Sequence, residues 1–168
     1  MTTPIRRIGP EPSTEILLLG SLMWAAADDV RAVLPLIADD DLDDPHARPI
    51  LYAIRWLVEA GKPHNGTAIA DQLQRSGLLG GERGQQTKKV LLDAITSGAA
   101  SNSLAPRMYA KAVVADAYRR RYELLGKSLV EAADTMAEDD LLPLLREAGT
   151  EAVKHAQRLE QLRGEVAA

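Results

Sequence analysis

The stretch YRRRYELLGKSLVEAA contains Gly126, Lys127 and Ser128, the last three letters of a phosphate-binding loop. Such a loop is a glycine-rich turn leaving a strand. Its amides surround the phosphates, its lysine reaches the terminal phosphates and its hydroxyl binds magnesium. The opening glycine belongs five residues earlier, where this chain has Arg121, a long side chain at a point where backbone must approach a phosphate closely. The preceding KAVVADAYRRRYELL is alanine-rich and helical rather than strand-like in character. The triplet therefore reads as part of a helix, and Lys127→Ala is expected to remove no nucleotide binding.

A second chemical candidate is ADDDLDDP, with Asp39, Asp40, Asp41, Asp43 and Asp44. Calcium loops use alternating acidic oxygens, but they also need a glycine to turn the loop and a later bidentate glutamate. Here Pro45 ends the run instead. A solvated acidic loop that caps the next helix is the simpler reading. His46, His64 and His155 are far apart and none has a partner at metal-ligand spacing. No G-x-S-x-G, Ser-His-Asp set or carboxylate pair stands out, so no catalytic, cofactor-binding or metal-binding residue is assigned. Arg119, Arg120 and Arg121, near Lys111 and Lys127, form the one concentration of positive charge. Consecutive helical residues point in different directions, so the three do not make a flat phosphate-binding face. They suit either a weak contact to single-stranded nucleic acid or ion pairs with the acidic loop or a partner.

Composition sets the frame that must position these groups. The chain has 168 residues, 46% of them hydrophobic, enough for one domain with an appendage. Phenylalanine is absent, aromatic content is 4%, and Leu and Ala supply most of the apolar surface, which points to an all-α fold. Cysteine is absent, which excludes disulfides and thiol chemistry and fits a reducing compartment, with the cytoplasm expected. No apolar run is long enough to cross a bilayer, and no membrane partner is expected. A formal charge of -4 gives no global attraction for phosphate backbones, so any DNA contact should be weak or indirect.

Residues 1–12, rich in Pro and Gly, read as a flexible arm. Ser13 or Thr14 caps a first helix, ILLLGSLMWAAA, which is apolar all round and so central, with Gly20 letting a neighbour come close. A short helix DDVRAVLPLI follows. A third runs from Pro45 to Gly61 with Ile50, Leu51, Ile54, Leu57 and Val58 as its buried stripe. Thr67 caps a fourth, AIADQLQRS, ended by Gly77; GLLGGERG reads as a connector, and QQTKKVLLDAITS as a fifth helix ended by Gly98. A sixth starts at Ser103 and continues to about Ala137.

In the last segment Leu145, Ala148, Ala152, His155, Leu159 and Leu162 alternate steps of three and four, the spacing of a narrow seam. His155 interrupts it as a polar member. This helix should pair with the sixth as an antiparallel hairpin, giving a globular domain over 13–102 and a hairpin over 103–168. Leu124, Leu125 and Leu129 are expected to pack there, with Gly126 giving a partner helix room. A two-helix hairpin still has surface to bury, so a homodimer or higher oligomer is expected. Tyr109, Val113, Leu125, Leu145, Leu159 and Leu162 are the candidate interface residues.

The order of segments resembles the N-terminal domain of bacterial replicative helicases of the DnaB family. The residues that carry the likeness are ILLLGSLM with Leu19-Gly20, then DLDDPHARPILYAIRWLVEAGKP with His46, Gly61 and Pro63. TAIADQLQRSGLL follows, then ASNSLAPRMYAKAVVADAYRRR with Ala100, Asn102, Tyr109, Ala110 and Val113. The likeness covers roughly residues 13–130 in order and spacing. Leu42 stands where the family usually has phenylalanine, and GQQTKKVLL replaces an aromatic-containing start. The resemblance implies a non-enzymatic helical domain plus hairpin that dimerises, forms a collar on the helicase and docks primase, helicase subunits or a helicase loader. The family's ATPase domain would follow the hairpin. Both a piece of a longer helicase and a stand-alone homologue of the collar, with MTTP as a natural start and GEVAA as a natural end, agree with the sequence.

Overall fold

A computed structural model describes residues 11–164; the expected arm lies mostly outside the described residues. Among these residues there are seven α-helices and no strand: α1 (Thr14–Trp24), α2 (Ala27–Val33), α3 (Arg48–Glu59), α4 (Gly66–Arg75), α5 (Gly81–Thr96), α6 (Ala105–Thr135) and α7 (Glu138–Arg163). Short 3-10 turns at Leu34–Leu36 and Asp39–Asp41 bridge α2 to α3. The all-α fold expected from composition is what the chain adopts.

α1 is the central element. Ser13 caps it by accepting a hydrogen bond from the Ile16 amide at 3.3 Å. Leu18, Leu19, Leu22 and Met23 are buried among α3, α5 and α6. Gly20 is needed for this crossing: a Cβ there would stand 2.6 Å from Ser97 Oγ and 2.7 Å from the Ala94 carbonyl oxygen of α5. The stripe of α3 faces the same core, with Ile50, Leu51 and Ile54 fully buried.

Several boundaries differ from the sequence expectation for local reasons. Residues 45–47 form a turn, held by Asp44 Oδ1 accepting from the His46 amide at 2.8 Å, so α3 begins at Arg48 with Pro49 in its first turn. Asn65, not Thr67, caps α4, accepting from the Ala68 amide at 3.0 Å. The GERG part of the supposed connector is the first turn of α5, because Gly84 lies against the backbone of Leu79 with no space for a Cβ. α6 starts at Ala105, with Asn102 Oδ1 accepting from the Leu104 and Ala105 amides, each at 3.0 Å.

α6 and α7 form the antiparallel hairpin. Its root belongs to the body: Val113 and Val114 of α6 and Leu159 and Leu162 of α7 join the same buried cluster as α1 and α3. Arg107 donates to the carbonyls of Gln161 and Leu162 at 3.0 and 3.3 Å, and Gly164, at φ 77°, ends α7 in the left-handed conformation. Towards the tip, among the described residues, the two helices have only each other, and the seam of half-buried Leu144, Ala148 and Ala152 is narrow.

Candidate interaction surface

Two features of the hairpin carry charge or unpartnered apolar surface. At its root the acidic loop and the arginines meet. Asp41 is fully buried. Its Oδ2 accepts from the Ala38 amide at 2.6 Å and from Arg158 Nη1 at 2.5 Å, while Oδ1 accepts from Arg158 Nη2 at 3.2 Å. Arg121 brings Nη1 to 2.7 Å of Asp41 Oδ1 and Nη2 to 2.9 Å of Asp40 Oδ2. These contacts are not aligned as hydrogen bonds and act chiefly by charge. Arg120 donates to the Asp41 carbonyl at 3.0 Å and lies 3.6 Å from Asp43, and Arg55 pairs with Asp39. One aspartate from the loop thus holds an arginine from each arm of the hairpin.

His155 borders this cluster. Arg158 Nη2 donates to its Nδ1 at 2.8 Å, so the imidazole accepts there and carries its proton on Nε2. Its pKa is lowered, first by burial and then by the adjacent Arg121 and Arg158 charges, against which Asp40 and Asp41 act. Burial raises the pKa of Asp40, but the Arg121 guanidinium 2.9 Å away outweighs it and leaves the pKa lowered. A small cleft between Tyr118, Tyr122 and Leu125 of α6 and Ala148, Ala152 and His155 of α7 opens beside the cluster. The two tyrosines meet edge to face at 5.0 Å.

These contacts decide what the arginines can do. Arg120 and Arg121 are engaged with aspartates, and only Arg119 of the three is exposed and outside the ion pairs among the described residues. The acidic loop likewise spends Asp39, Asp40, Asp41 and Asp43 on arginines, and no cluster fit for a metal occurs among the described residues. Gly126 to Ser128 lie inside α6, and Lys127 pairs with Glu123 at 2.7 Å, so this backbone is committed to helix. His64 Nε2 lies 3.1 Å from the Ala25 carbonyl oxygen, tying its loop to the end of α1. His46 sits half-buried beside Pro49 and Thr87.

The second feature is the outer face of the hairpin. Helical residues are about 100° apart. Tyr118, Arg121, Leu125 and Leu129 of α6 face α7, while Ala110, Val113 and Ala117 face the body. The flank between α7 and solvent carries Met108, Arg119, Tyr122, Gly126, Val130 and Ala133. On α7 the corresponding flank carries Leu142, Leu145, Gly149, Val153 and Ala156. Both helices are right-handed and run in opposite directions, so the two flanks turn to the same side, away from the body. Val130 is 70% exposed, Val153 57% and Leu145 51%, and a Cβ placed on Gly126 or Gly149 would meet nothing within 4 Å among the described residues.

The interface candidates separate on this geometry. Leu145 stands on the outer face, and Tyr109 and Leu125 are half-buried. Val113, Leu159 and Leu162 are buried within the chain, where they fix the hairpin to the body and offer nothing to a second molecule. Leu124, expected to pack, is more than half exposed, because α6 at that level has passed beyond the body; a Cβ on Gly126 would meet nothing within 4 Å among the described residues. Val130, Leu142 and Val153 were missed. The signal was present as a second 3-4 spacing one flank away from the seam, but the seam itself absorbed the pattern.

No protein-family model and no curated protein matches the sequence. Among solved structures the chain is similar to the N-terminal domain of DnaB helicase from Mycobacterium tuberculosis. The TM-score is 0.68 and the identity 23%, over 86% of this chain and 98% of that one. At that identity the likeness speaks for the fold: this chain has the all-α architecture of a DnaB helicase N-terminal domain.

Proposed function

We propose that the protein is a non-enzymatic interaction module of DNA replication that dimerises through its hairpin and docks primase, helicase subunits or a helicase loader. The observation that carries this reading is the outer face of the hairpin, where Val130, Leu142, Leu145 and Val153 are exposed together on the side turned away from the body. Contiguous apolar surface of this kind marks an interaction site. The fold likeness to a helicase N-terminal domain supplies the replication context. Consumption of Arg120 and Arg121 by the acidic loop weighs against single-stranded nucleic acid as the main ligand.

Light scattering at tens of micromolar should give twice the monomer mass, since a specific interface has a dissociation constant below that range. Leu145→Asp should return the monomer without unfolding it. A strict monomer for the unaltered protein overturns the dimer. A pull-down from native lysate that recovers ribosomes or metabolic enzymes alone, and no replication protein, overturns the replication role.

A further inference from the structure

The cleft between the two arms of the hairpin is walled by large side chains on one side and small ones on the other. α6 contributes Tyr118, Tyr122 and Leu125, whereas α7 opposes them with Ala148 and Ala152. Close packing of two helices needs side chains that interdigitate, and a methyl group opposite an aromatic ring leaves the space in front of the ring unfilled. A volume of about 180 Å³ remains there. An apolar cavity of about 150 Å³ holds one benzene, so this one suits a single ring with a short substituent.

Polar groups restrict what that ring can carry. Arg158 Nη2 donates to His155 Nδ1 at 2.8 Å, which leaves the imidazole proton on Nε2 without a hydrogen-bond partner among the described residues. The hydroxyls of Tyr118 and Tyr122 lie 3.1 Å apart, and whichever donates, the other keeps its own proton. The cleft therefore offers donors and calls for an acceptor. It offers no unbalanced charge. Arg121 faces Asp41 at 2.7 Å and Asp40 at 2.9 Å, and Glu151 at the rim pairs with Lys154 at 2.6 Å. A carboxylate or an ammonium entering this apolar space would give up its hydration without gaining a counter-ion.

We propose that the cleft is a binding site for a neutral, single-ring aromatic molecule bearing a hydrogen-bond acceptor, of the aryl ketone class. The ring fills the space between Tyr118 and Leu125 on one wall and the methyl groups of Ala148 and Ala152 on the other. Its oxygen accepts from His155 Nε2 or from the free tyrosine hydroxyl. Such a ligand touches both arms at once, so it braces α6 against α7 above the root.

Acetophenone, titrated into the full chain and followed by two-dimensional amide NMR, is the test. Shifts should concentrate at residues 118–125 and 148–155, with a Kd of about 1 mM or tighter for a ligand of about nine non-hydrogen atoms. At ten times Kd the Tm should rise by about 3–5 °C. Benzoate, of the same size but charged, should bind at least tenfold more weakly. Ala148→Leu and Ala152→Leu each place a larger side chain in the cleft with a strong helix former, and each should weaken acetophenone at least tenfold. Ala32→Leu, the same change on the exposed surface of α2, should leave binding unaltered. Circular dichroism checks that each variant keeps its helices, and the map of shifts on the unaltered chain decides without any variant. Absence of shifts up to 10 mM acetophenone, shifts centred elsewhere, undiminished binding in a folded leucine variant, or equal binding of benzoate would overturn the proposal.

Discussion

Asp41→Asn tests whether the buried ion cluster holds the hairpin to the body. The substitution keeps the size of the side chain and removes its charge. In the native chain the Asp41 carboxylate is fully buried against Arg158 and Arg121, whose side chains are only 18% and 19% exposed. Removing one partner of a buried pair leaves the other charges uncompensated, at a cost of about 3–5 kcal/mol. Here the lower end applies. Arg121 keeps Asp40 at 2.9 Å, and Arg158 keeps the Leu36 carbonyl at 3.2 Å, so neither guanidinium is wholly stripped. The Asn amide can still accept from Ala38, which preserves the local turn.

A loss of about 3 kcal/mol corresponds to a fall in Tm of about 6–12 °C for a chain of this length. The assay is thermal unfolding followed by circular dichroism at 222 nm, with Asp43→Asn as control. Asp43 is 76% exposed and its contact to Arg120 is 3.6 Å, so its loss should cost well under 1 kcal/mol, about 1–2 °C. Equal Tm values for Asp41→Asn and Asp43→Asn, or a fall of less than about 2 °C for the former, would refute the reasoning. Hydrogen exchange supplies a second readout: the root of α7 should lose protection before α3 does, since Arg158 is the arm's charged anchor.

Three further outcomes follow from the packing. Gly20→Ala should lower stability by about 1–3 kcal/mol in urea unfolding, because the added methyl meets Ser97 Oγ and the Ala94 carbonyl at distances no Cβ tolerates. Leu162→Ala should cost about 2–5 kcal/mol, whereas Leu145→Ala should cost little stability and weaken self-association; similar stability losses would show that α7 is not divided into a buried root and an exposed outer flank. His155 has a lowered pKa, so the folded state binds its proton less readily than the unfolded state. The stabilisation it gives is complete above the ordinary value of 6.5 and is lost as pH falls below it. Unfolding curves between pH 7.5 and 5.5 should show stability declining with acid in the native chain and less so in His155→Gln, which can still accept from Arg158; parallel pH profiles would count against this role.

The elements were legible where one physical cause dominated. The all-apolar α1, the α3 stripe and the glycines at 61, 77 and 98 stated their roles locally, and each of those glycines has positive φ. Boundaries failed where a short-range polar contact competed. Asp44 diverts the chain from helix at 45–47, Asn65 captures the cap from Thr67, and Gly84 hides a helical turn inside what looks like a connector. The seam of α7 was legible as a seam, but not which of its members meet the body. Leu145 and Leu162 have the same character in sequence, and only the distance of each from the globular root separates an exposed residue from a buried one.

The two charged motifs show a different kind of limit. Read alone, the aspartate run suggests a cation and the arginine triplet suggests a phosphate, and both suggestions rest on net charge in a short window. The two windows are about 80 residues apart in sequence and in contact in the fold, so each is the other's counter-ion. Local charge cannot reveal this, because the helical phase that turns Arg120 and Arg121 to the loop also turns Arg119 away from it. The residue left over is therefore the informative one. Arg119 is the member of the triplet outside the ion pairs among the described residues, and it stands on the same flank as Tyr122, Gly126 and Val130.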